Sequence, residues 1–395
     1  MKHPNLKTPN PQASKNSNEL RSLWISDIHL GNNLTPTDHT LKSLDQMVFG
    51  NHENRFLDFI GIPGDLFDQS LAAGDPRFFL IVKWCTKFLK WARKHDVVVF
   101  LLAGTKSHDA EQSEILVKIN DAGIGAELYY ADDICVKHIA RWGLDFLFVP
   151  DNKGTGDHVW KRVNTVLLEA GLERVHYAAM HGFFDFELPE AARKHHPEYH
   201  IRERYESIVE FAIVIGHHHT PQHLGKVWVP GSLERNKHGE EEPKGALLLK
   251  QISGKVTGVF VENTNAKIYR DFKCHGWSTQ RVLELLEGLG DLPHNSSLRL
   301  QGYRDDEYVA GFKDLQKRFH RYVLKLATEL REDAFERKLE EVALNFVPLE
   351  LAPTNIVEHL GNRLQSRSYD PDLAARALRR LELHVNGSSS ANGVS

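Results

Sequence analysis

Cysteine is scarce. Cys85, Cys135 and Cys274 stand far apart in 395 residues, with the spacing of neither a thiolate metal site nor a disulfide framework, so a reducing compartment is the simplest expectation. Long apolar runs are missing as well. No stretch reaches the roughly 18 apolar residues that a bilayer span requires, and residues 1–20, with Pro4, Pro9 and Pro11 among many Asn and Ser, lack the apolar segment of a secretory signal. These absences point to a cytoplasmic protein without a membrane partner, with a flexible tail over 1–20 and a disordered Ser, Asn and Gly tail over 387–395. A basic excess is absent too: 49 Lys and Arg against 53 Asp and Glu give a net charge of -4. Any nucleic-acid contact must therefore use a local patch and not a global field.

What the chain has is 41% hydrophobic and 26% charged residues, a globular composition, and enough length for about two domains. Its organising feature is a repeated arrangement at the ends of apolar runs. Leu23-Trp24-Ile25-Ser26 leads into Asp27 and His29, which in an extended backbone point to one side while Ile28 faces the core. Phe59-Ile60-Gly61-Ile62 ends in Asp65 and Asp68. The unbroken run from Val97 to Ala103 reads as a buried strand and empties into Ser107, His108 and Asp109. Val175 to Met180 ends in His181, and Phe211 to Ile215 leads to His217-His218-His219, where an extended backbone would place His217 and His219 together.

Each case alone has a bland explanation. An Asp-x-His triplet is common, and Asp65 with Asp68 reads as a turn and helix N-cap. Five such endings on one kind of element are poorly explained by chance. Open α/β sheets place their sites at the carboxyl ends of strands. Carboxylates and imidazoles without thiolates suit Mn²⁺, Fe²⁺ or Zn²⁺ and argue against a cysteine-based structural zinc site. A bridging Asp can hold two ions roughly 3.5 to 4 Å apart, the separation used for in-line displacement at phosphorus.

Between these runs, apolar spacing predicts helices near 41–48, 77–95 and 158–170. The Arg, Lys and His-rich stretch from Arg193 to Arg204 reads first as a solvated charged face and second as a phosphate contact. Strands are expected at 144–150, 227–232, 246–249 and 259–261, the last closing a second sheet. Beyond about residue 265 the pattern changes to a small α/β unit, with strands at 298–300 and 322–326 around a helix at 304–319. Helical stretches follow at 333–345, 355–364 and 370–383.

The segments Ser26-Asp27-Ile28-His29, Gly64-Asp65-Leu66-Phe67-Asp68, Ser107-His108-Asp109, His181-Gly182 and Gly216-His217-His218-His219 resemble, in this order, the five signatures of the calcineurin-like metallophosphoesterases. Asp27 to Gly31, the Gly64 to Asp68 stretch and Pro230-Gly231-Ser232 resemble its SbcD branch, the nuclease subunits of DNA double-strand-break repair complexes. The resemblance covers residues 21–265. It implies an α/β fold: a four-layer β-sandwich flanked by helices, with a capping domain at 266–332, a helical partner-binding segment at 333–386 and two manganese ions per chain. Asp27, His29 and His219 would hold one ion and His181 and His217 the other, with Asp65 bridging. His108 would be the proton donor, with Asp68 and Asp109 supporting it.

The implied activity is Mn²⁺-dependent DNA exonuclease and endonuclease chemistry, in a homodimer with an SbcC-like coiled-coil ATPase. A phosphatase on the same scaffold, or a metal-impaired binding subunit, are the alternatives. One motif departs from the family. Where Gly-Asn-His-Asp is expected the loop reads Gly104-Thr105-Lys106-Ser107-His108-Asp109, as in a phage-borne branch. Ser107 or Thr105 must replace the Asn ligand of the second ion, with a shorter reach.

Overall fold

The computed structural model describes residues 19–109, 111–151, 154–332, 335–336, 355–366 and 371–389. Residues 1–18 and 390–395, which make up most of the two expected tails, lie outside them, and so does 337–354, most of the helix expected at 333–345. Two compact units divide the chain, Met1–Glu329 and Leu330–Ser395.

The first unit begins with β1 (Glu19–Trp24), α1 (Thr37–Phe49), β2 (Phe59–Pro63), α2 (Pro76–His95) and β3 (Val98–Leu102). Two short helices, α3 (Lys106–Asp109) and α4 (Ile115–Ile119), lead to β4 (Leu128–Ala131). Strands β1 to β4 are mutually parallel neighbours. A second series follows: β5 (Cys135–Ile139), β6 (Leu144–Val149), α5 (Gly156–Glu169), β7 (Val175–His181), α6 (Glu190–Arg193), α7 (Arg202–Ile208), β8 (Val209–Gly216), β9 (Gln222–Leu224) and β10 (Val227–Val229). A hairpin of β11 (Gly245–Ile252) and β12 (Lys255–Glu262) then returns to the first sheet, where β11 pairs antiparallel with β1. The sheet orders are β12-β11-β1-β2-β3-β4 and β5-β6-β7-β8-β10-β9.

The strands read as unbroken apolar runs because both of their faces are buried. Between the sheets, Trp24, Phe59 and Phe100 meet Phe146, Phe148 and Tyr177, with ring centroids 4.9 Å apart for Phe100 and Phe146. On the outer face of the first sheet, Leu23, Ile60 and Val99 pack on Leu44 and Val48 of α1 and on Ile81 and Phe88 of α2. On the outer face of the second, Leu147, Met180 and Ile213 pack on Val159 and Val163 of α5. The result is the four-layer α/β sandwich expected, helices outside and two sheets within. Helix α2 starts where Asp75 accepts from Arg77 N at 2.8 Å ahead of Pro76, a capped start with proline in the first turn.

One strand assignment changes. The stretch around Val259 does not close a second sheet but forms the outer edge of the first, because the short turn at Ser253-Gly254, both with positive φ, folds β12 back on β11.

The expected small α/β unit forms a third sheet of β13 (Tyr269–Lys273), β14 (Ser297–Tyr303) and β15 (Val323–Glu329), all parallel. Helices α8 (Thr279–Glu287), α9 (Glu307–Ala310) and α10 (Phe312–Arg318) connect its strands. The single helix expected over 304–319 is broken at Gly311 into the last two. Val282, Leu286, Leu298, Leu300 and Tyr308 give this sheet a core of its own.

The second unit contains helices Ile356–Ser366 and Pro371–Ser389, which pack on each other. No helix among the described residues is long and apolar enough to cross a membrane.

Candidate metal centre

The parallel strands of each sheet bring their carboxyl ends to one edge, and there the loops turn sharply. Asp27, His29 and Asp65 have φ of 49°, 52° and 48°, and His217 has 99°. This left-handed backbone is sparsely populated by residues other than glycine and costs of order 1–3 kcal/mol each. Asp27 and His29 therefore converge through two left-handed turns and not by the alternation of an extended strand. The turns are held by Ile28 N and His29 N, which both donate to Asp65 O at 2.9 and 3.1 Å. At Gly64, φ is +89° and a Cβ would lie 2.1 Å from His181 Nδ1, so no side chain fits.

Two groups of possible ligands result. Asp27, His29 and His219 offer atoms all within 4.8 Å of one another, and so do Asp65, His181 and His217. His217 and His219 thus serve different groups, contrary to the extended reading, because the positive φ at His217 turns its ring toward His181. Between the groups stands Asp65, with Oδ1 3.4 Å from His181 Nε2 and Oδ2 4.0 Å from His29 Nε2. His29 Nε2 and His219 Nε2 face each other at 3.2 Å. The backbone N–H of His217 donates to both oxygens of Asp27, at 2.9 and 3.0 Å, and Ser26 Oγ donates to one of them.

Around these groups the other candidates take distinct places. His108 Nδ1 donates to the Asp68 carbonyl at 2.7 Å, and its ring lies edge-on to His29 with centroids 4.8 Å apart. Asp68 Oδ1 lies 3.4 Å from His29 Nδ1 and accepts from Asn32 at 2.9 Å; with His29 and His108 it makes a third close group. Asp109 is buried beneath the loops, accepting from Phe67 N at 2.9 Å and Gly104 N at 2.7 Å.

Ser107 is exposed on α3 and is not brought to the site. Thr105 is: its N–H donates to Asp65 Oδ1 at 2.6 Å and its Oγ1 lies 3.2 Å from His181 Nε2. The reason is local, since residues 106–109 coil into one helical turn that carries Ser107 outward and leaves Thr105 at the strand end.

Charge is finely divided here. Burial pushes the Asp65 carboxyl up, but the His181 and His29 imidazoles outweigh it and hold the group well below the usual carboxylate range. His181 is buried yet raised, because Asp65 and Asp27 favour its charged form. His217 is lowered by burial and by the charge on His181. Burial lifts Asp109 to about 6, against the two N–H groups it accepts.

Three more residues join the site without a signal in the sequence. Glu240 accepts from His219 Nδ1 at 2.9 Å, and Lys244 lies 3.4 Å from Glu240 and donates to His219 O at 2.9 Å. Glu187 is pushed up to about 7 by burial; its Oε1 has no hydrogen bond, with His218 Nδ1 3.9 Å away. Within the basic stretch Arg202 pairs with Glu203 and Glu206, Arg204 pairs with Asp157, and His200 is buried.

No family model matches this chain, and no curated protein does. Among solved structures similar to it, one shares 14% identity over 61% of this chain and 99% of that chain, with a TM-score of 0.35, too slight a likeness to argue from.

Proposed function

We propose that this chain is a metal-dependent phosphodiesterase. Within that class we assign it as a Mn²⁺-dependent DNA exonuclease and endonuclease of the SbcD type, a repair or recombination subunit. One observation carries the reading. Two imidazoles hydrogen-bond an oxygen through Nδ1, His219 with Glu240 at 2.9 Å and His181 with the Pro63 carbonyl at 2.8 Å, and the buried Nδ1 of His29 points toward Asp68 at 3.4 Å without a hydrogen bond. The Nε2 atoms of all three rings are thereby directed inward, toward Asp65 or one another. Outer oxygen partners of this kind fix the tautomer of metal-ligating histidines. The donor set of oxygen and imidazole nitrogen fits a hard to borderline divalent ion.

Asp27, His29 and His219 would hold one ion, and His181 and His217 the other, with Asp65 shared and Thr105 Oγ1 supplying a neutral oxygen beside the second. Two divalent ions held there would neutralise a phosphodiester and acidify a bound water. The chain's own part is then proton handling. His108 keeps Nδ1 on the Asp68 carbonyl, which fixes the ring and leaves Nε2 to deliver a proton to the departing oxygen. We assign the helices Ile356–Ser366 and Pro371–Ser389 to the docking of an SbcC-like coiled-coil ATPase, with the nuclease acting as a homodimer.

The test is degradation of an end-labelled linear duplex by the purified protein with Mn²⁺, beside His108→Ala. Degradation by the wild type alone supports the assignment. The rival phosphatase reading rests on a cavity of about 220 Å³ beside the second ligand group, lined by Thr105, Asp151, His181, Phe183, His200 and His217, which suits a small phosphomonoester. Hydrolysis of p-nitrophenyl phosphate with no attack on DNA, alone or with an ATPase partner, would favour that reading.

A further inference from the structure

The loop between β10 and β11 carries Glu240, the partner of His219 Nδ1. Two residues earlier, His238 reaches the three-stranded sheet: its Nδ1 lies 2.7 Å from Asp271 Oδ1 on β13, and its Nε2 lies 2.9 Å from Ser297 Oγ on β14. Arg299 of β14 in turn donates to Asp271, through Nε at 3.0 Å and through Nη2. The carboxylate can only accept, so His238 donates from Nδ1 and the Ser297 hydroxyl donates to Nε2.

Asp, His and Ser in this order are the chain of a hydrolytic triad, but Ser297 is 1% exposed within a sheet. It offers no hydroxyl to a substrate. The arrangement is a strap from one sheet to a loop.

Between His238 and Glu240 lies Gly239, with φ +96° and open space where a Cβ would stand. Such a residue leaves the loop free unless both sides are anchored. On one side the anchor is His238. On the other, Glu240 Oε2 accepts from Asn236 N at 3.0 Å, and its Oε1 accepts from His219. We infer that His238 and Asp271 are positioning residues, through which the three-stranded sheet fixes Glu240 and thereby the ring of His219. The inference rests on the reading of His219 as a metal ligand.

Mn²⁺ titration calorimetry of the full chain tests it, together with ¹⁵N resonances of the His219 ring in metal-free protein. In His238→Ala and Asp271→Ala, one of the two sites should weaken by about 10- to 100-fold, the usual cost of losing an outer-sphere partner, while the other is unchanged. The His219 ring signal should lose its single-tautomer position. His238→Gln, which can still donate to Asp271, should restore part of the affinity. Arg318→Ala, which breaks a pair with Glu287 elsewhere in the same sheet unit, should change neither readout and so controls for general loosening. If Glu240→Ala weakens the site but His238→Ala does not, the strap is overturned while the metal reading stands. If the wild type binds no Mn²⁺, the proposed function fails, and an unchanged His219 signal in His238→Ala would overturn the strap as well.

Discussion

At His108, Nδ1 is committed to the Asp68 carbonyl, whereas Asp65 sits between two candidate ligand groups; in the proposed mechanism the two residues should fail in different ways. His108→Ala is expected to keep two Mn²⁺ per chain while turnover falls by about 10² to 10⁴, and loss of metal in that variant would make His108 a ligand. Asp65→Ala should lose both ions, as read by metal analysis after gel filtration. His200 gives a prediction in pH. It is 5% exposed and accepts or donates at Nδ1 only to Tyr205 OH, 3.2 Å away, and burial lowers it to about 4 from 6.5. The unfolded chain binds the proton more readily, so this residue's contribution is full above pH 6.5 and is lost as the pH falls toward 4. The loss amounts to about 3 kcal/mol. Denaturant melts of wild type and His200→Asn between pH 7 and 4 should converge as the pH drops; parallel curves would refute the assignment. At this scale the convergence of side chains was legible wherever a candidate ligand followed directly on an apolar run, as Asp27, Asp65, His181 and His217 do. Thr105 was not singled out over Ser107, because nothing in residues 104–109 announces that four of them coil into a turn. Glu240 was hidden for a different reason: it opens the acidic run Glu240-Glu241-Glu242, which reads as solvated surface.

The elements that deliver these residues are strand ends packed so closely that backbone meets backbone. At Gly104 a Cβ would fall 2.0 Å from Asp65 N and 2.2 Å from Asp65 Oδ1. Gly104→Ala must therefore push β3 from β2 or swing the Asp65 carboxylate out of place. Because the nearer atom is backbone and the carboxylate oxygen is already held by Thr105 N at 2.6 Å, the expected outcome is loss of Mn²⁺ binding with the far-UV spectrum retained. Wild-type metal content in this variant would show that the seam can relax. The central strands were readable because burial on both faces leaves an apolar run with no alternation. The edge strands were less so: β4 and β5 are short, and Lys137 and His138 of β5 are exposed, so no pattern of either period marks them. The same limit put β12 in the wrong sheet, since an apolar run tells that a strand is covered but not which neighbour covers it.

Taken as a whole, the molecule places the candidate ligands on two different sheets. Asp27, His29 and Asp65 follow strands of the first, and His181, His217 and His219 end or follow strands of the second. Below this edge the sheets are joined by aromatic packing; at the edge they are joined by polar groups whose charges oppose burial. Asp65 Oδ1 and His181 Nε2 stand 3.4 Å apart in that gap, and a divalent ion held between them would have to displace any proton shared there. In the proposed two-ion site each ion would bind the folded chain and find no assembled site in the unfolded one, so it would add stability by mass action, about 2.7 kcal/mol at one hundred times its dissociation constant. Two ions together should raise the melting temperature by about 5 to 10 °C for a unit of this size. Thermal melts in saturating Mn²⁺ and in EDTA measure the difference directly. The shift should vanish in Asp65→Ala, which loses both ions, and be roughly halved in His219→Ala, which loses one. A full shift in Asp65→Ala would place the stabilising cation elsewhere on the surface, and the absence of any shift in the wild type would mean that the two sheets are not bridged by metal.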